Sequence, residues 1–141
     1  MKIKQLSVFL EDRSGRLTEM TQILANHEIN ITALSVAETT DYGIVRMVVG
    51  KPDVAQEFLA DAGFSVRLTE VVCVGMPDKA GSLHYILEIL ADNSVNVDYM
   101  YAFSNKDVAL AVIRAEDIDR VIDILEKQNV KLLQQKDIYQ L

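Results

Sequence analysis

The chain has 141 residues, half of them hydrophobic and a quarter charged, and carries a net charge of −7. That balance is globular rather than disordered, and it is too acidic for a protein that must neutralise nucleic-acid phosphates. A single cysteine, Cys73, excludes an intrachain disulfide, and with no charged-then-apolar leader and no apolar run of about 18 residues the expectation is a soluble, cytoplasmic chain without a membrane span.

Lys2 to Leu10 alternates, with Leu6, Val8 and Leu10 on one side and Gln5 and Ser7 on the other, which predicts a strand. Glu11 to Gly15 is polar and ends it, and Asp12 or Ser14 is placed to cap the following helix. Leu17, Met20 and Leu24 give that helix an apolar stripe running to about Asn26 and His27. Asn30 opens a second strand, Ile31 to Thr39, and Asp41-Tyr42-Gly43 turns it back into a third, Ile44 to Val49. Gly50-Lys51-Pro52-Asp53 starts a helix carrying Val54, Phe58, Leu59 and Ala62, and Gly63 stands where a left-handed C-terminal residue is wanted. Phe64 to Thr69 is a fourth strand.

The same order follows again. Val71 to Met76 reads as a strand, Pro77 to Gly81 as a loop, and Leu83, Ile86, Leu87 and Leu90 as a helical stripe. Strands at Val97 to Ser104 and Val108 to Arg114 precede a helix holding Ile118, Val121, Ile122 and Leu125, with a last strand near Val130 to Ile138. Each half is β-α-β-β-α-β, so the expected fold is α+β: two ferredoxin-like domains, 1–70 and 71–141, each an antiparallel sheet with its helices on one face. Val66 to Val74 contains no turn signal, and the fourth strand of the first half is expected to run almost directly into the first strand of the second. A 70-residue unit buries only roughly 60% of its unfolded surface. Fusion and self-association would supply the rest.

A shift of 66 residues superimposes the halves without a gap. Asp12-Arg13-Ser14-Gly15-Arg16-Leu17 falls on Asp78-Lys79-Ala80-Gly81-Ser82-Leu83, and Asn30-Ile31 on Asn96-Val97. The chemistry of these loops suits a zwitterion. Gly lets the backbone approach a ligand closely, the helix N-terminus offers unpaired N–H groups to a carboxylate, and the Asp can answer an ammonium. Asn30 and Asn96 add amide donors and acceptors. For either loop taken alone, ordinary capping and turn formation are the stronger account.

The two motifs, each followed by Glu28-Ile29-Asn30-Ile31 or Ser94-Val95-Asn96-Val97, resemble those of ACT domains, the small regulatory modules of amino-acid metabolism. The resemblance covers essentially the whole chain as a tandem pair. It implies a non-enzymatic regulator that binds an L-amino acid at the interface between paired domains. The implied contacts are the side chains of Asp12, Asn30, Asp78 and Asn96, with Ile31 and Val97 beside them and main-chain groups from Arg13 to Leu17 and from Lys79 to Leu83. Three departures stand out: Ser14 and Ala80 replace a common Pro, Glu28 and Ser94 replace a frequent Gly, and an attached catalytic domain is not expected. The expectation is therefore a free-standing sensor or one acting through a partner enzyme, needing no cofactor. The alternatives are an assembly module, or a small regulatory subunit without a ligand of its own.

Other residues are secondary. His27 and His84 lack second ligands at metal-binding spacing, leaving no expected metal site. Tyr99, Tyr101 and Phe103 share one face of a strand where the first half has Ala33, Ser35 and Ala37, which reads as core size compensation or as an aromatic wall for a ligand. Leu34, Val36 and Val48, with Met100, Ala102 and Val112, are assigned to the other face, left open for homodimerisation.

Overall fold

The computed structural model describes residues 1–11 and 13–138. Its elements run β1 (Ile3–Glu11), α1 (Arg16–Asn26), β2 (Ile31–Glu38), β3 (Tyr42–Val49), α2 (Pro52–Asp61), β4 (Ser65–Pro77), α3 (Ser82–Asp92), β5 (Val97–Asn105), β6 (Val108–Ala115), α4 (Ile118–Lys127), β7 (Lys131–Leu132) and α5 (Gln135–Ile138). They form two compact units, one of residues 4–69 and the other of residues 1–3 with 70–141. β4 is continuous over 13 residues, and the division between the units falls within it. Its first part is the last strand of the first unit, beside β1. Its second part is the first strand of the second unit, between β6 and β7.

Each unit has the ferredoxin-like strand order, with its own first and third strands in the middle and its second strand at an edge. The ladders are antiparallel: Leu6 faces Met47 and Val8 faces Val45 in the first unit, and Val72 faces Ile113 and Val74 faces Ala111 in the second. Two helices then close one face of each sheet. In the first unit Met20, Leu24, Ala55 and Leu59 meet Leu6, Val8, Val45 and Met47. In the second, Ile86, Leu90, Val121 and Leu125 meet Val72, Val74, Ala111 and Ile113. Burial of these side chains is the main force holding each unit together.

Several sequence expectations change at the level of single residues. Neither Gln5 nor Ser7 is solvent-facing. Both are buried, with Gln5 Nε2 donating to Ser7 Oγ at 3.2 Å and Ser7 Oγ lying 3.4 Å from Thr69 Oγ1. Ser14 does not cap α1: the N-cap is Gly15, in the left-handed region at φ 92°, with no side-chain cap, and Asp12 lies outside the described residues. The first turn sends Arg16 to the core and turns Leu17 out to 39% exposure. Leu83 is likewise exposed, and the core of α3 is Ile86, Ile89 and Leu90. Val54 is also exposed, because α2 packs through Pro52, Ala55 and Leu59.

The last strand is only two residues long. Leu133 N–H donates to the Cys73 carbonyl at 2.9 Å, and Gln134 N–H then donates to Asp137 Oδ2 at 2.8 Å, which starts the turn of α5. Gln134-Gln135-Lys136 has little strand propensity, and the buried Ile138 anchors the helical alternative.

The sheet faces also sort differently. Leu34 and Val36 pair with Met47 and Val45, members of the helix-side core, so they lie on the helix-bearing face, as does Met100 opposite Ile113. Val48 and Val112 lie on the helix-free face with Tyr101, which pairs with Val112, and both valines are buried. A register irregularity between Ile31 and Ala33, repeated between Val97 and Tyr99, offsets any simple alternation counted from the strand start.

Candidate functional site

The strand-to-helix loops have one backbone design. Gly15 and Gly81 adopt φ/ψ of 92°/−13° and 91°/−16°, each as the N-cap of an 11-residue helix without a side-chain cap among the described residues. A Cβ at either position would meet nothing within 4 Å, so the left-handed φ, not crowding, is what requires glycine. Arg13 N–H donates to the Glu11 carbonyl and Lys79 N–H to the Pro77 carbonyl, at 2.8 and 2.9 Å. Among the described residues no side chain caps the first N–H groups of α1 and α3, and the Ser82 N–H donates to the Lys79 carbonyl at 3.3 Å.

The expected contact residues are distributed as follows. Arg13, Ser14, Gly15, Leu17, Asp78, Lys79, Ala80, Gly81 and Leu83 are exposed, whereas Arg16 is buried and Ser82 half-buried. Asn30 and Asn96 are exposed and sit beyond the far ends of α1 and α3, helices about 16 Å long. Asn30 supplies its carbonyl to Gly50 N–H at 3.1 Å. Ile31 and Val97 pack partly against the two cores. Among the described residues, the loop and the asparagine of a unit are not found lining the same one of these hollows. Asn96 borders a 390 Å³ hollow with Asp98, Glu116, Asp117 and Arg120. Asp12 lies outside the described residues.

In the first unit, Arg13, Arg16 and Leu17 border a 210 Å³ hollow against Val36 to Thr39 and Tyr42. Arg16 is the distinctive residue here. Its guanidinium lies 3.9 Å from the Phe64 ring centroid, Nη1 donates to Glu19 Oε2 at 2.8 Å, and Nη2 is 3.7 Å from Glu11 Oε1. Its Nε has no hydrogen-bond partner among the described residues.

In the second unit, Lys79 to Ser82 border a much larger cavity of about 600 Å³. Met76, Tyr85, Ile86 and the connector Gln128 to Lys131 also line it. The connector turns through Asn129 at φ 58°, as Gly63 turns the first unit's connector at φ 90°. The sequence reading named the loop but missed Met76, Tyr85, Ile86 and the connector. Their signal was present in the repeat: Arg16 aligns with Ser82 and Phe64 with Val130, so two large side chains become small ones at the same wall.

Over residues 1–141 the sequence matches the family model described as an ACT domain pair. The chain belongs to the ACT domain family. Protein BT0572 from Bacteroides thetaiotaomicron is similar at 45% identity, covering 100% of this chain and 98% of its own, with a TM-score of 0.95. The ligand-free regulatory subunit of aspartate kinase from Thermus thermophilus has the same fold at 16% identity, with 88% and 91% covered and a TM-score of 0.63. Aspartokinase III from E. coli, in complex with aspartate and ADP, has a TM-score of 0.58 at 17% identity, covering 89% of this chain and 31% of that one. No curated protein matches the sequence. The ACT domain pair is a regulatory domain type rather than a catalytic one. Among the described residues, no helix of this ACT pair is long and apolar enough to cross a membrane.

Proposed function

We propose that this ACT pair is a non-enzymatic cytoplasmic regulator of amino-acid metabolism, with domains over 1–70 and 71–141, that binds an L-amino acid at the strand-to-helix loops around Gly15 and Gly81. The observation that carries this reading is the repeated glycine cap: two helices of equal length begin on left-handed glycines, with no side chain occupying their first N–H groups among the described residues. Such N-termini suit a carboxylate. The acid that opens the loop, Asp78 in the second copy, suits an ammonium. Control comes from differential binding, the ligand favouring one conformation of the pair over another. The signal passes to a partner enzyme, as the regulatory role of the Thermus aspartate kinase subunit suggests.

A thermal-shift screen of the purified chain against the twenty L-amino acids tests this. A binder at about 100 times its Kd stabilises the chain by roughly 2.7 kcal/mol, and one or a few related amino acids are expected to raise Tm. Failure of every amino acid at high excess would overturn the reading.

A second, compatible role rests on β2. This edge strand exposes Leu34 at 43% and Val36 at 53%, an apolar strip of the kind that edge pairing or a partner covers. We expect the chain to be a homodimer, and Leu34→Lys with Val36→Lys to shift it to monomer in light scattering.

A further inference from the structure

The cavity of the second unit is present because the repeat diverged at the residues that fill it. In the first unit, Arg16 and Phe64 are 8% and 5% exposed and stack face to cation at 3.9 Å. The aligned positions hold Ser82 and Val130, and both border the 600 Å³ cavity. It is an open groove: Lys79 to Gly81, Tyr85, Gln128, Asn129 and Lys131 on its rim are exposed, and Met76 and Ile86 in its lining are buried. Its volume lies within the range of about 300–1,000 Å³ usual for small-molecule sites.

The lining specifies the chemistry of an occupant. Met76, Ile86 and Val130 make an apolar wall. The charged side chains at the cavity are Lys79 and Lys131, and neither is in an ion pair among the described residues. Among the described residues no Asp or Glu borders it, although the chain as a whole carries −7. Ser82, Gln128 and Asn129 add neutral hydrogen-bonding groups, and the first turn of α3 contains no acid, where α1 carries Glu19. A carboxylate entering here meets lysine ammonium groups and donors. An ammonium meets like charge and no carboxylate among the described lining residues, which disfavours it electrostatically.

We propose that the second unit holds a binding site for a small organic carboxylate with an apolar body and no charged α-ammonium, one per chain, between α3 and the Gln128–Lys131 connector. The site shares Lys79 to Ser82 with the amino-acid reading of the Gly81 loop, so at the second unit the two compete, and the preference between carboxylate and zwitterion tells them apart. The carboxylate end lies toward Lys79 and Lys131, and the hydrocarbon end toward Met76, Ile86 and Val130.

The test is calorimetric titration of the full chain with three matched probes: 4-methylpentanoate, L-leucine and 4-methylpentanamide. The carboxylate should bind at least about tenfold more tightly than the zwitterion or the neutral amide. Ser82→Arg with Val130→Phe installs the first unit's plug and should abolish carboxylate binding. Lys79→Met with Lys131→Met, changes at exposed positions that leave the core intact, should weaken it by at least about tenfold. Absence of carboxylate binding to the parent chain, binding that survives the plug in a folded variant, or L-leucine binding as tightly as the carboxylate would each overturn the proposal. Loss of carboxylate binding in the plugged variant with amino-acid stabilisation intact would support this site and leave the loop reading standing at the Gly15 loop.

Discussion

The two units share a backbone and differ in what fills it. The positions that must be left-handed are repeated: Gly15 and Gly81 at φ 92° and 91°, Glu28 and Ser94 at φ 56° and 58°, Gly63 and Asn129 at φ 90° and 58°. Side chains on the walls were free to change. Arg16 over Phe64 became Ser82 beside Val130, and the buried polar pair Gln5 and Ser7 became Val71 and Cys73. Duplication thus fixes what the chain path demands and releases what packing can absorb, so one unit closed over its own residues while the other kept space. The largest test asks whether the cores are equivalent. Leu59 and Leu125 align and are both fully buried, so alanine at either should cost about 2–5 kcal/mol in urea unfolding. Unequal losses would show that the cores relax differently.

The plug is the next test. Phe64→Val should cost about 2 kcal/mol, because it empties the space under Arg16. Val130→Phe, the reverse change, should cost nearly nothing or stabilise, because its ring enters a hollow that is already there. Equal costs in the two directions would mean that the cavity closes in solution.

Much of this was legible beforehand. The 66-residue shift exposed the repeat, and strand alternation and helix stripes gave β-α-β-β-α-β twice, because those patterns reflect one-sided burial. What failed were residues whose burial comes from a specific partner rather than from hydrophobicity. Arg16 is buried because Phe64 offers a ring face and Glu19 a carboxylate. Leu17, with the more apolar side chain, is displaced outward. The Val130 to Ile138 segment looked like one strand because Leu132, Leu133 and Ile138 are apolar, and the turn shows in Asp137 accepting from Gln134 N–H while Asp137 and Ile138 N–H donate to the Gln134 carbonyl. At the site, the glycine loop was readable and the connector was not. A cavity is a relation between distant side chains, visible in sequence only when the halves are compared position by position.

Cys73 and Ser7 give a smaller contrast at another aligned pair. Burial pushes the Cys73 thiol from its ordinary 9.0 up to about 12, so it stays neutral and behaves as a small apolar group. A thiol pKa raised by folding stabilises fully below pH 9 and loses that contribution as pH rises from 9 toward 12. Stability should therefore fall over that alkaline interval, and Cys73→Ala should flatten the fall. Cys73→Ser should cost about 1–2 kcal/mol at neutral pH, since the hydroxyl enters an apolar setting, unlike Ser7, which has Gln5 and Thr69 nearby. Iodoacetamide at pH 8 should label Cys73 only after urea unfolding.

The smallest expected effects probe the shared backbone. Glu28 and Ser94 are not glycine, yet both are left-handed, a conformation that side chains with a Cβ adopt at a cost. Glu28→Gly and Ser94→Gly should each raise stability by about 0.5 kcal/mol, the relief of strain outweighing the added freedom of the unfolded chain. Gly63→Ala should do the opposite by about 1 kcal/mol, because its φ of 90° is strained for any side chain and nothing packs there to compensate. If the glycine changes instead destabilise both units equally, the side chains at 28 and 94 contribute contacts that outweigh backbone strain, and left-handed geometry alone would not explain what the duplication preserved. A difference between the units would place that contribution in one side chain, Glu28 or Ser94, rather than in the turn they share.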